Sequence, residues 1–249
     1  LHYDQYANIM PYLKCKKQMI TSHYPYLENP EPQYVFLYDL LKRSESHVVS
    51  LSDRIKKEFI ARGIDSTNVS VLPCGIDTDL YTLDETDVLY PDRSIVVGKI
   101  EPRKRQAFLQ HKDLNIDFIG NNTDSSFDEL DPHYLGEQSK QDIMDNLTAY
   151  ASMVLLSSGE AHPFVCLEGM AAGLGLVLSE QSTANLDISQ PFITVIPDDK
   201  LDDTTYLDQK IKENRKISLT MRNDIRKYCF DNFDWSSIIK QYKSIIDSI

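Results

Sequence analysis

Short apolar runs alternate with amphipathic stretches along most of this chain. Runs at 47–51, 69–72, 94–98, 116–120, 153–156, 174–178 and 192–196 are bounded by polar or turn residues, the pattern of strands buried on both faces. A shorter run at 18–21 ends in Ser22-His23-Tyr24-Pro25 and predicts another strand. Between the runs, apolar residues recur at helical spacing. Val35, Tyr38 and Leu41 share a face over 34–43, and Ile143, Leu147 and Tyr150 share one over 139–150. Further helices are predicted at 54–61, from Phe164 to near Gly173, at 200–213 and at 221–233, with a terminal one at 235–249 carrying Ile238, Ile239, Tyr242, Ile245 and Ile246. Local chemistry supports the boundaries: Ser52 and Ser139 suit N-caps, Gly63 suits a helix stop, and Pro163 suits a first-turn position because it has no N–H to leave unpaired. Residues 1–14 and 28–33 predict loops, the first leading into a short helix. Strand–helix alternation predicts an α/β protein built from two Rossmann-like, doubly wound parallel sheets.

Composition narrows the function classes. With 249 residues, 41% of them hydrophobic, the chain can build one large or two modest cores. A formal net charge of −12 argues against general affinity for nucleic acids or anionic membranes, so any phosphate site must be local. Cys15, Cys74, Cys166 and Cys229 lack CxxC spacing, which predicts reduced thiols in a cytoplasmic protein rather than a disulfide framework or a zinc site. No apolar run approaches the roughly 20 residues that span a bilayer.

Against that acidic background, chemistry concentrates in Ser157–Glu180, SSGEAHPFVCLEGMAAGLGLVLSE. A strand, a helix and a strand place the loop after the first strand over the helix N-terminus, where unpaired N–H groups and the macrodipole favour an anion. Glu160 in the loop and Glu168 in the helix, eight positions apart, are expected to border one cavity; carboxylates there accept hydrogen bonds from sugar hydroxyls. The run Ser94–Gly98 delivers Lys99 to the end of another strand, and Lys104, expected to open the next helix, brings a second cation towards a diphosphate. Asp77-Thr78-Asp79 has the form of a metal–nucleotide triplet but lies in a turn after a strand, and no metal site is assigned to it.

Glu160-x7-Glu168 followed by Gly-Met-Ala-Ala-Gly resembles the signature of the retaining glycosyltransferases of family four. The rest of that pattern falls in order. VVSLSDRIKKEF and LPCGIDTDLY resemble the end of the amino-terminal domain and its linker, with Cys74 where asparagine is usual. Lys99-Ile100-Glu101-Pro102-Arg103-Lys104 resembles Gly-Arg-Leu-x-Pro-x-Lys, with Lys99 in the arginine position; Tyr134–Glu137 looks like a short strand; Phe233-Asp234-Trp235 opens a helix like the one that crosses back to the first domain.

The resemblance implies a B-type glycosyltransferase fold with its cleft between two sheets. Residues 1–75 would be the end of the acceptor-side domain, 76–232 the nucleotide-sugar domain and 233–249 the crossing helix. It also implies that the amino-terminal domain is incomplete here by roughly 80–100 residues. The implied reaction transfers a sugar, with retention, from a nucleotide-diphosphate sugar to a hydroxylated glycan or lipid-linked acceptor. Lys99 and Lys104 would hold the diphosphate beside Gly98, and Glu168 the ribose. Glu160 would hold the donor sugar, helped by backbone between His162, Pro163, Phe164 and Val165, and His23 would lie near the incoming hydroxyl. His162 and Pro163 stand where an aromatic residue and a glycine are common. No cofactor and no metal are implied, and peripheral membrane contact would come through the absent segment. A nucleotide-sugar epimerase and a non-catalytic sugar-nucleotide-binding module remain as alternative readings.

Overall fold

The computed structural model describes residues 4–23, 32–84, 86 and 88–249. It is an α/β protein with a three-stranded and a five-stranded sheet, both entirely parallel. The chain divides into two compact units, one comprising Leu1–Gly75, Gly159–His162 and Trp235–Ile249, the other Ile76–Ser158 and Pro163–Asp234.

In the first unit β1 (Met19–Thr21), β2 (His47–Ser50) and β3 (Val69–Val71) pair in the order β1-β2-β3. Strand alternation sends Ile20, Val48 and Val69 into a cluster with Tyr38 and Leu41 of α1 (Pro32–Arg43) and Phe59 of α2 (Asp53–Ala61). Val49, Leu72 and Ile238 form a separate cluster, the last residue contributed by α8 (Trp235–Ser248). Ser52 caps α2, its hydroxyl accepting from the Ile55 N–H at 3.4 Å, and Gly63 takes a positive φ of 91° beyond the helix end.

The second unit orders β4 (Tyr90–Val97), β5 (Ile116–Ile119), β6 (Tyr150–Leu155), β7 (Gly175–Ser179) and β8 (Ile193–Ile196) as β5-β4-β6-β7-β8. Its helices are α3 (Gln106–Gln110), α4 (Lys140–Asn146), α5 (Phe164–Ala171), α6 (Thr204–Thr220) and α7 (Arg222–Phe233). The chain leaves β4 towards one side for β5 and later adds β6 on the other, so the switch point lies at the carboxyl ends of β4 and β6. Ligands of open α/β sheets bind at such a crevice.

Several boundaries differ from the sequence expectation. The helix expected over 139–150 ends at Asn146, gives one 3-10 turn, and leaves Tyr150 and Ala151 to β6, where burial on both faces outweighs helical spacing. Lys104 does not open a helix. It ends a 3-10 turn, Arg105 adopts φ 58°, and α3 begins only at Gln106. The helix expected over 200–213 starts at Thr204, where the Asp203 carboxylate caps the Tyr206 N–H, and runs on to Thr220. Tyr134–Glu137 makes a single bridge to Phe118 rather than a strand.

Candidate functional site at the switch point

The loop after β4 is shaped by glycine. Gly120 at the end of β5 has φ 149°, and a Cβ there would lie 2.1 Å from the Gly98 carbonyl oxygen, so only glycine lets the two strand ends come together. Gly98 has φ 131°, and the Lys104 ammonium lies 2.8 Å from where its Cβ would stand. The lysine therefore covers the bare backbone at the end of β4. Buried Gln106 secures the same loop: its amide donates to the Lys99 carbonyl at 2.9 Å and its carbonyl accepts from the Glu101 N–H at 3.2 Å. Lys99 itself is exposed.

Arg103 ties this loop to the one after β6. Its guanidinium donates to Ser157 Oγ at 3.0 Å and pairs with Glu101 at 2.7 Å, while its carbonyl accepts from the Ser158 N–H at 2.8 Å. Beyond this point the chain reaches α5. Pro163 is the N-cap rather than the first helical residue; its carbonyl accepts from the Cys166 N–H at 2.9 Å, and it leaves Phe164 and Val165 as the first two helical residues. Gly169 lets α5 approach β6, since a Cβ there would sit 3.0 Å from the Met153 sulfur.

Glu168 is only 9% exposed, yet it is held by two donors. The Tyr81 hydroxyl donates to Oε1 at 2.8 Å and the Lys140 ammonium to the same oxygen at 2.9 Å; Oε2 accepts nothing among the described residues. Burial, and then the charge of Glu168, push the Tyr81 phenol well above its ordinary pKa, so it remains a donor at any working pH. Lys140 also lies 5.4 Å from the centroid of the Phe164 ring. Arg226 fixes the neighbourhood from behind, donating to the Tyr81 carbonyl at 2.7 Å and the Ala171 carbonyl at 2.9 Å.

Structures of similar shape bear on this arrangement. Anabaena HepE bound to UDP-glucose superposes with a TM-score of 0.73 at 18% identity, over 92% of this chain and 72% of that one. Sucrose-phosphate synthase from Thermosynechococcus elongatus gives 0.75 at 15%, over 99% and 72%, and the lipopolysaccharide outer core galactosyltransferase WaaB gives 0.68 at 16%, over 97% and 78%. The chain has the B-type glycosyltransferase fold. No protein-family model matches it, and no curated protein sequence does.

Within this B-type fold, Gly98, Lys99, Lys104, Pro163, Phe164, Val165 and Glu168 all belong to the five-stranded unit, grouped on the loops and helix start at its switch point. His23, Glu160 and His162 belong to the other unit: His23 is exposed just beyond β1, Glu160 is half-buried and His162 is buried. Tyr24 and Pro25, beside His23, fall outside the described residues. Asp77 of the acidic triplet caps a turn through the Asp79 N–H at 3.1 Å, and Asp79 faces Arg226 at 3.6 Å.

Sequence reasoning missed Tyr81 and Lys140. They lie 87 and 28 positions from Glu168, and no local spacing announces such partners. Among the described residues no helix is long and apolar enough to cross a membrane.

Proposed function

We propose that this chain acts in a retaining glycosyltransferase, with the five-stranded unit binding a nucleotide-diphosphate sugar. The observation that carries the reading is Glu168: a nearly buried carboxylate at the switch-point helix, oriented by Tyr81 and Lys140 through one oxygen so that the other can accept from ribose hydroxyls. Lys99 and Lys104 are assigned to the diphosphate, where cations count most as charge develops on the leaving group. The first N–H groups of α5 add to that field. Glu160 and backbone from His162 to Val165 are assigned to the donor sugar, and His23 to the incoming hydroxyl. The anomeric carbon–phosphate oxygen bond breaks as the acceptor oxygen bonds to the same face, and the acceptor proton passes to the leaving phosphate. No metal is needed on this reading, because the lysines and the helix terminus supply the positive charge. Uridine heads the donor panel because a similar structure holds UDP-glucose.

Thermal melting against UDP-, GDP- and ADP-sugars, with and without EDTA, tests the proposal. A donor at a hundred times its dissociation constant stabilises by about 2.7 kcal/mol, roughly 5–10 °C for a chain of this size. One nucleotide giving an EDTA-insensitive shift that Glu168→Ala abolishes is the expected result; no shift with any nucleotide counts against it. Turnover with an alcohol acceptor then separates a transferase from a binding module, and donor conversion with no acceptor marks an epimerase.

A further inference from the structure

At the amino ends of β4 and β5, the opposite end of the sheet from the switch point, the five-stranded unit carries a cavity of about 350 Å³, at the small end of ligand pockets. Its charged lining is three acids, Asp92, Asp113 and Asp208, and three bases, Lys212, Arg215 and Lys216, so the walls carry no net charge. Asp208 and Lys212 pair with each other at 2.7 Å. Asp113 and Lys216 are exposed, and neither side chain has a hydrogen-bond partner among the described residues. Arg215 differs from these surface groups because it is only 4% exposed. Its Nε donates to Ser94 Oγ at 2.9 Å, and its Nη2 donates to the Leu114 and Asn115 carbonyls at 2.8 and 2.7 Å. Nη1 is left over: it has no partner among the described residues and is not sealed from solvent. Since Arg215 lines the cavity, Nη1 is the donor it presents there. A nearly buried guanidinium ordinarily uses every nitrogen, as Arg222 does, so this open one points to a ligand that completes it.

The walls also limit the charge of that ligand. Burial lowers the pKa of Arg215 and the charges of Asp92 and Asp208 oppose the shift, so both acids lie within reach of the guanidinium. An anion at Nη1 would meet their repulsion, and a cation would meet that of the three bases. A hydroxyl avoids both, because it accepts from a cation's N–H and donates to a carboxylate without bringing charge. Pro91, Leu114 and Leu219 add apolar surface for the C–H groups of a ring. We propose that this cavity binds an uncharged monosaccharide, one ring hydroxyl accepting from Arg215 Nη1 while others accept from Lys216 and donate to Asp113. The inference stands apart from the donor reading; where both hold, this is a second sugar site at the far end of the same sheet.

The test is a titration of the purified, isotopically labelled chain, without nucleotide, followed by amide resonances in two-dimensional NMR. D-glucose, D-galactose and D-mannose are the probes, and the uronate and the 2-amino derivative of whichever hexose binds are the charged controls. Expected are saturable shifts at Asp92, at Asp113 to Asn115 and at Lys212 to Lys216, with both charged derivatives binding more weakly than the parent hexose. Lys216→Met and Asp113→Asn, both at exposed positions that do not put the fold at risk, should each lower the affinity by about threefold to tenfold. Arg215→Gln should abolish the shifts, and it is compared only if its circular dichroism spectrum is unchanged. No saturable shift with any of the three hexoses, shifts confined to the surroundings of Lys99, Lys104 and Glu168, tighter binding of a charged derivative, or unchanged affinity in either exposed-residue variant each overturns the proposal. Since no nucleotide is present and the two sites report through different amides, failure of the donor reading leaves this outcome untouched.

Discussion

Arg222 in the five-stranded unit and Thr21 in the three-stranded unit are both buried polar residues, and their surroundings could hardly differ more. Arg222 is 3% exposed and gives hydrogen bonds to the carbonyls of Asp84, Thr148, Tyr150 and Ala172 and to the Thr148 hydroxyl, all between 2.6 and 3.1 Å. Arg215 does the same for Ser94, Leu114 and Asn115. Burial lowers the pKa of both guanidiniums, and saturation with carbonyl acceptors is what makes a buried cation tolerable. Arg222 thereby fastens the start of β6 and the end of α5 to α7, and Arg226 fastens Tyr81 beside them. In the three-stranded unit, by contrast, the buried Thr21 hydroxyl has no partner among the described residues, and mostly apolar side chains line a cavity beside it. One region is specified by directed bonds that hold Glu168 in one pose. The other is specified by volume, which accepts many shapes of similar size.

Arg222→Met tests this contrast most severely. It leaves several buried carbonyls without donors at about 1–3 kcal/mol each, so a loss of about 3–5 kcal/mol is expected, read as reduced hydrogen-exchange protection in β6 and β7. Fluorescence of Trp235, which belongs to the other unit, should move less. Next in size, Glu168→Ala should weaken nucleotide binding by about 1–3 kcal/mol, whereas Tyr81→Phe should cost about 1 kcal/mol by leaving the carboxylate to Lys140 alone, both measured by calorimetry. Equal affinities in wild type and Tyr81→Phe would remove the tyrosine from the positioning role.

A smaller effect is expected at His47, whose Nε2 lies 2.8 Å from Ser70 Oγ. Burial, and then the nearby charge of Lys56, lower its pKa from 6.5. The unfolded chain therefore takes up a proton first, so stability declines as pH falls below about 6.5 and levels off once the folded histidine is also protonated. His47→Gln should flatten that part of the curve in urea titrations at a series of pH values. Smallest of all, Thr21→Val should raise stability by no more than about 1 kcal/mol, since it replaces a buried hydroxyl that has no partner among the described residues with a methyl group of the same shape. A large loss there would mean that the two regions are not so different after all.

The order of elements was legible in the chain because strands and helices write their periods locally. The buried runs of β4 to β8, the capping serines Ser52 and Ser139 and the α/β class all follow from residues within a few positions of one another. Glu168 and the lysines at the end of β4 could be singled out for the same reason: their signals lie within one strand–loop–helix segment. What the tertiary structure alone decided is what lies far apart in sequence. It chose Tyr81 and Lys140 as the partners of one carboxylate oxygen, brought Gly120 against Gly98, gave Arg222 acceptors in three separate stretches of chain, and left the Thr21 hydroxyl with none among the described residues. It also stopped α4 short and kept Lys104 out of a helix, since burial in β6 and the positive φ at Arg105 outweighed local spacing. A hydrogen bond across 87 positions leaves no periodic trace, because its geometry depends on how whole strands and helices pack rather than on the residues beside it in the chain.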